Sequence, residues 1–313
     1  MAASTDTGAI ALAPAPWTTK CLVYQIGFWT SSATAQNLPA KAYSPLEAAS
    51  SYASPEFGKP LGGLSMIQLV RYSETPVGPY DELIFSPGVF EYPLPDNEDA
   101  SHSSSNKKKT AQARRVTRIY VSSKETCFNG RKVWNIPKHL ARFEWTTDPA
   151  DGSQHVKVFP HDTHVPYDAT ESTPNSKTPF FQCTIRQPVR FIPSFPFSTR
   201  ALAKLGINMA VAHPPLPEGK GTRYGELPGT MEWSFLPEIV QYSSRTSLVW
   251  IDVSQKDEET GAEPEDGFEN FWPGMRRWNL ALELKDGGAD IPVGERWETP
   301  KRLMQDGGYG TIN

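Results

Sequence analysis

Ten short runs of apolar, β-branched and aromatic residues, each closed off by turn-forming residues, constrain this 313-residue chain more than any other feature. They are Lys20–Phe28, Ser65–Tyr72, Glu82–Phe90, Val116–Ser122, Ala141–Thr147, His155–Phe159, Phe180–Arg186, Trp233–Gln241, Ser247–Val253 and Trp278–Lys285. Runs of this length suit strands, and 29 prolines with 23 glycines leave little room for long helices. No 20–50-residue repeat marks a propeller or solenoid. The expected fold is mainly β (α+β), a closed or nearly closed antiparallel barrel or double sheet with a few short helices. One domain over residues 1–313 is expected, with flexible insertions near 96–115 and 255–267.

Three helical segments are expected. Ser44, Pro45 and Glu47 have the cap, first-position proline and third-position glutamate of a helix running to about Ala53. Ser198 or Thr199 opens another that stops at Gly206. Asn135–Ala141 reads as a single turn between strands. The aromatic residues, among them Trp29, Trp145, Trp233, Trp250 and Trp278, are expected mostly in the core.

The charge balance narrows the partners. Thirty-one basic against 35 acidic residues give no field of the kind that draws a protein to nucleic acid or anionic lipid. The Lys107–Lys109 run with Arg114 and Arg115 reads as a solvated loop because no aromatics are interleaved with it. The N-terminus lacks a basic region and a signal-length apolar stretch, and no run reaches a membrane span. A cytoplasmic protein with no nucleic-acid or membrane partner is expected. Cys21, Cys127 and Cys183 are too far apart for a ligand motif and read as reduced structural thiols.

Cofactor signatures are missing too. There is no Gly-rich phosphate loop, dinucleotide fingerprint or Gly-x-Ser-x-Gly elbow, so no cofactor is expected. His155, His161, Asp162 and His164 lack a ligand spacing on a helix, and no metal is expected there.

Lys138 is the strongest candidate for chemistry. A lysine is a nucleophile only when neutral, which burial, a neighbouring cation or a helix N-terminus promotes. Trp134, Ile136, Pro137 and Leu140 offer apolar surroundings, and Arg131 or His139 a cationic neighbour. The competing reading is an ordinary surface lysine in a loop. On a strand, Glu82 shares a face with Ile84 while Leu83 and Phe85 take the other. Glu91 is the alternative carboxylate.

Gly78-Pro-Tyr-Asp-Glu82, then Arg115-Val-Thr-Arg-Ile-Tyr-Val121, then Asn129-Gly-Arg-Lys-Val-Trp-Asn-Ile-Pro-Lys-His-Leu140 resemble the acetoacetate-decarboxylase-like family, particularly its fungal members. The match of order and spacing runs over residues 65–146. The resemblance implies that Lys138 forms a Schiff base with a carbonyl substrate and that Glu82 relays protons. His139 replaces the family's second lysine. The resemblance also implies a homo-oligomer. From the residues themselves, Arg131, Tyr80, Tyr120 and Trp134 are expected around the pocket or its electrostatics.

This chain has no arginine before Arg71, whereas the decarboxylase holds its substrate carboxylate with an N-terminal one. A substrate bulkier than acetoacetate, such as a polyketide- or terpenoid-derived intermediate of secondary metabolism, is therefore expected. The leading reading is a cofactor-independent lyase of decarboxylase, aldolase or dehydratase type. A cofactor-free isomerase or cyclase working without an imine, and a non-enzymatic small-molecule or protein binder, are the alternatives.

Overall fold

In the computed structural model, which describes residues 9–96, 109–160, 179–188, 192–207, 209–220, 222, 224–254 and 278–304, the strand-forming runs make fifteen strands. In chain order they are β1 (Trp17–Thr30), β2 (Lys59–Glu74), β3 (Tyr80–Ser86), β4 (Val89–Pro93), β5 (Thr110–Arg114), β6 (Arg118–Val121), β7 (Lys138–Thr147) and β8 (Gln154–Pro160). There follow β9 (Phe181–Pro188), β10 (Phe195–Ser198), β11 (Val211–His213), β12 (Glu232–Leu236), β13 (Val240–Asp252), β14 (Leu280–Ile291) and β15 (Glu295–Glu298).

Nine of them close a barrel in the order β1, β14, β13, β9, β8, β7, β6, β3, β2, with β2 pairing back onto β1. Closure removes the exposed edges that an open sheet would present. The long β2 also leaves the barrel: Lys59–Gly62 pair with β4, which begins a second sheet running through β5, β11, β12 and β15. The switch needs glycine, since a Cβ on Gly88 (φ +115°) would lie 2.4 Å from the Gly62 carbonyl oxygen.

One face of all nine barrel strands supplies a single apolar cluster, including Tyr24, Leu69, Leu83, Tyr120, Val156 and Ile251. The Tyr24 ring of β1 lies 6.2 Å from that of Trp145 on β7, and its hydroxyl reaches Gln154 of β8 at 3.0 Å. These strands stand on opposite sides of the barrel, so only lumen-facing groups can meet in this way. The lumen is therefore filled with side chains. Each large apolar residue buried there contributes roughly 1.5–3 kcal/mol relative to exposure. Tyr43 and Tyr52, from the segment after β1, pack against the same cluster.

The short helices are α1 (Ser32–Gln36), α2 (Pro45–Ala48), α3 (Lys124–Trp134), α4 (Thr199–Lys204) and α5 (Lys301–Met304). Ser198 caps α4 and Gly206 takes φ +83° just beyond it, as the sequence indicates. The helix expected to reach Ala53 stops at Ala48. Ser50 ends it by bonding back to the Glu47 carbonyl and accepting from the Tyr52 N–H, which starts a separate 3-10 turn.

The turn expected over Asn135–Ala141 is corrected as well. α3 precedes it and ends at Asn135, whose left-handed φ of 55° bonds its N–H to the Arg131 and Gly130 carbonyls, and the chain enters β7 at Lys138. Because α3 is a crossover from β6 to β7, those two strands are parallel, and the barrel is mixed where an antiparallel one was expected.

The expected insertion at 96–115 is partly structured, because Thr110–Arg114 form β5. Arg115 is fully buried, donates to the Tyr52 and Phe57 carbonyls at 3.2 and 2.5 Å, and lies over the Phe90 ring. Residues 97–108, the 255–267 segment and His161, Asp162 and His164 lie outside the described residues. All three cysteines are free and buried. Most of the aromatic residues are buried as expected, Tyr24, Phe28, Tyr80, Tyr120, Trp134 and Trp233 among them, while Trp29, Trp250 and Trp278 are at least half exposed. Among the described residues no helix is long and apolar enough to cross a membrane.

Arg115→Met should destabilise the protein by about 2–4 kcal/mol, since two buried carbonyls lose their charged donor. Urea unfolding followed by fluorescence measures this; an unchanged midpoint would contradict the structural role of Arg115.

Candidate active site

β7 begins at Lys138, and strand alternation sends Lys138 and His139 to opposite faces. His139 faces the lumen side with Tyr120, its cross-strand partner. Lys138 takes the outer face, where α3 lies over the sheet. Lys138 stands opposite Ile119 of β6, and Glu82 of β3 opposite Val121 of the same strand. The two long side chains therefore converge diagonally across β6. Lys138 Nζ donates to Glu82 Oε2 at 2.6 Å and to Thr126 Oγ1 at 2.9 Å, with the Tyr80 hydroxyl at 3.4 Å. Lys138 and Glu82 are only 4% and 3% exposed, so this is a buried pair rather than a surface contact.

α3 shapes the lysine's path. Thr126 comes from its first turn, and Gly130 forms a shelf one turn on: a Cβ there would sit 2.5 Å from the Lys138 Cδ. The Lys138 carbonyl accepts from Arg131 Nη1 at 3.2 Å and from the Cys127 thiol at 3.3 Å, which fixes the start of the strand. Around the pair lie Cys21, Val70, Tyr72, Tyr80, Val121 and Leu140.

Electrostatically the site differs from the expectation of a lysine with depressed pKa. Burial pulls the Lys138 ammonium down, but the Glu82 carboxylate, and then Tyr80, outweigh it and hold the group above the ordinary lysine range. The cations expected beside it serve another group. Arg131 Nη1 and His139 Nε2 both reach Glu47, at 2.9 and 2.6 Å, forming a second buried cluster. Burial alone would raise the Glu47 carboxyl; His139 and Arg131 reverse that and hold it below its ordinary range.

Tyr120 accepts from Arg118 and packs at a tilt against Phe180, and Trp134 packs edge-on against Trp17 while donating to the Pro292 carbonyl. Of the residues expected around Lys138, only Glu82 and Tyr80 touch its amine. Thr126, Gly130, Glu47 and Tyr72 were not anticipated in the site. Glu47 reads in the sequence as a helix-capping residue, and Thr126 carries no local signal because the helix holding it has no clear apolar period.

Lys138 and Glu82 are buried just behind the surface. A groove of about 900 Å³ runs beside them, with Cys21, Tyr72 and Tyr80 in its wall. Tyr72 reaches Glu82 Oε1 at 3.5 Å, and its ring lies 4.5 Å from that of Tyr80. Burial pushes the Tyr80 phenol up to about 12. Among the described residues no group of three or more His, Cys, Asp or Glu is placed to hold a metal.

No family model matches the sequence. Among curated proteins, Protein NEOXANTHIN-DEFICIENT 1 of Oryza sativa subsp. japonica is 31% identical over 90 residues, which are 29% of this chain and only 24% of that protein. The chain thus matches about a quarter of that relative's length. Among solved structures, acetoacetate decarboxylase from Legionella pneumophila superposes with a TM-score of 0.52 at 10% identity, over 91% of this chain and 88% of that one. A second acetoacetate decarboxylase structure gives 0.50 at 10% identity, over 92% and 91%. The fold is acetoacetate-decarboxylase-like.

Lys138→Met or Glu82→Leu alone should destabilise the protein by about 3–5 kcal/mol, because each strands a buried charge, while the double variant should lose less than either. A double-mutant cycle from chemical denaturation decides it, and additive losses would contradict a coupled pair. The Glu47 cluster sets an acid limit. With its folded pKa lowered, Glu47 contributes stability that is present above its unfolded value near ~4.3 and is lost as pH falls through the folded one. Glu47→Gln should flatten the acid limb of a stability-against-pH curve; an unchanged limb would show that Glu47 does not govern it.

Proposed function

We propose that this chain is a cofactor-independent lyase in which Lys138 forms an imine with a bulky carbonyl substrate and Glu82 carries the protons. The supporting observation is the buried 2.6 Å contact between the Lys138 amine and the Glu82 carboxylate, in a fold shared with acetoacetate decarboxylases. The motifs over residues 65–146 align the chain with the fungal branch of that family, and action in the cytoplasm as a homo-oligomer accompanies the reading.

An ion pair of this kind can ready its own nucleophile. Moving one proton from the Lys138 ammonium to Glu82 leaves a neutral amine and a carboxylic acid with no change in net charge, so the buried site exposes its nucleophile without taking up or releasing an ion. The amine nitrogen adds to the carbonyl carbon and gives a carbinolamine. Glu82 returns the proton to the departing hydroxyl, water leaves, and a protonated imine remains beside the Glu82 carboxylate.

The positive imine is an electron sink. When a bond β to it breaks, its electron pair moves into the imine and forms a neutral enamine. The leaving fragment is carbon dioxide or, once its hydroxyl proton is removed, an aldehyde; in a dehydration the α-proton leaves first, its C–H pair forms the enamine, and the enamine then expels the β-hydroxyl as water. Tyr80 lies against both the amine and the groove, and its phenol stays protonated near neutral pH. It is placed to donate a hydrogen bond while Glu82 exchanges protons.

A second reading has a specific observation in its favour. Lys138 rests as a paired ion with almost no exposure, as a structural strut in a non-enzymatic binding protein would.

Borohydride reduction in the presence of ketones, followed by peptide mapping, separates the two. The lyase reading expects the added mass on Lys138 at about ten times the level on exposed lysines, as pre-positioning predicts. A ketone that the protein turns over without marking Lys138 would overturn it.

A further inference from the structure

The groove beside the Lys138–Glu82 pair has a composition that limits what can lie in it. Both cations in its wall are already paired, Lys20 with Glu74 at 2.9 Å and Arg71 with Asp81 at 3.2 Å. Arg71 also lies over the Trp145 ring, 4.6 Å from its centroid. Of the two aspartates in the wall, Asp81 is held by Arg71 and Asp286 by Arg245 at 3.1 Å. A substrate carboxylate would therefore share each cation with a carboxylate already on it, Glu74 or Asp81, and meet Asp286 as well, and this like-charge repulsion disfavours it. The rest of the wall is Cys21, Leu22, Tyr72, Pro79, Tyr80 and Tyr242 together with the small Ser73, Ser122 and Gly287, so that its apolar part is mainly tyrosine rings.

Volume points the same way. About 900 Å³ is the space of a drug-sized ligand, far more than a four-carbon keto acid fills. Tyr80 separates the groove from the amine. It is 5% exposed, lines the groove, and has its hydroxyl 3.4 Å from Lys138 Nζ and its ring centroid 5.0 Å from the same atom.

Resting on the imine reading above, we infer that this groove binds the substrate, and that it selects an uncharged carbonyl compound with a flat apolar body. Tyr80 determines access: its ring must turn aside for the carbonyl carbon to reach Nζ. Tyr72, whose ring is tilted against that of Tyr80, extends the aromatic side of the groove along which a flat substrate can lie.

Three ketone probes with borohydride test it: acetone, 2-acetylnaphthalene, and 6-acetyl-2-naphthoate, the carboxylate of the same skeleton. The neutral naphthyl ketone should mark Lys138 about tenfold faster than the carboxylate, which meets a wall whose cations already hold carboxylates. Ser73→Trp, on the exposed part of the groove, should lower the naphthyl-to-acetone labelling ratio about fivefold by filling the space, with thermal unfolding checking that the variant folds.

Equal or faster labelling by the carboxylate, or an unmoved ratio in Ser73→Trp, overturns the groove assignment while acetone labelling of Lys138 preserves the imine reading. No labelling of Lys138 by any of the three ketones overturns both.

Discussion

The contact between Lys138 and Glu82 is the interaction around which the outer face of the barrel is organised. Two charges removed from water are tolerated only as a pair, and this one needs parts from three places in the chain. β3 supplies the carboxylate, β7 the amine, and α3 the Thr126 hydroxyl together with the Gly130 shelf that admits the lysine's methylenes. Arg131 and Cys127, also on α3, hold the Lys138 carbonyl. If α3 shifted, the pair would lose a hydrogen-bonding partner and its cover together.

The same strand start builds two clusters with opposite electrostatics. On the outer face one cation meets one anion. Towards the lumen, Glu47 meets both Arg131 and His139. The histidine at 139 therefore hydrogen-bonds to a different carboxylate, that of Glu47, and makes no contact with the amine of its neighbour in sequence. Alternation along a strand makes adjacent residues poor electrostatic partners, and that is why the expectation of a cationic neighbour failed here.

How much was legible depended on the range of the interactions involved. The barrel could be read because a strand's alternation is local: Leu83 and Phe85 face the lumen cluster while Glu82 and Ile84 face away, as the pattern indicates. α3 could not, since Gly130, Val133 and Thr126 weaken its propensity and tertiary packing supplies its stability. Its omission also hid the parallel β6–β7 pair. Arg115 reads as part of a cationic loop because nothing nearby in sequence shows the Tyr52 and Phe57 carbonyls that it binds. In the site, Lys138, Glu82 and Tyr80 were carried by motifs, whereas Thr126, Glu47 and the groove depend on contacts between distant segments.

The state of the Lys138 amine is the most direct test of this account. Lysine ε-carbon NMR can follow its titration in the wild type and in Glu82→Gln. The account predicts an ammonium that persists above the ordinary lysine value of about 10.4 in the wild type, and one that titrates below that value once the carboxylate is gone and burial acts alone. A wild-type amine that loses its proton below the ordinary value, or a titration that Glu82→Gln leaves unmoved, would contradict it.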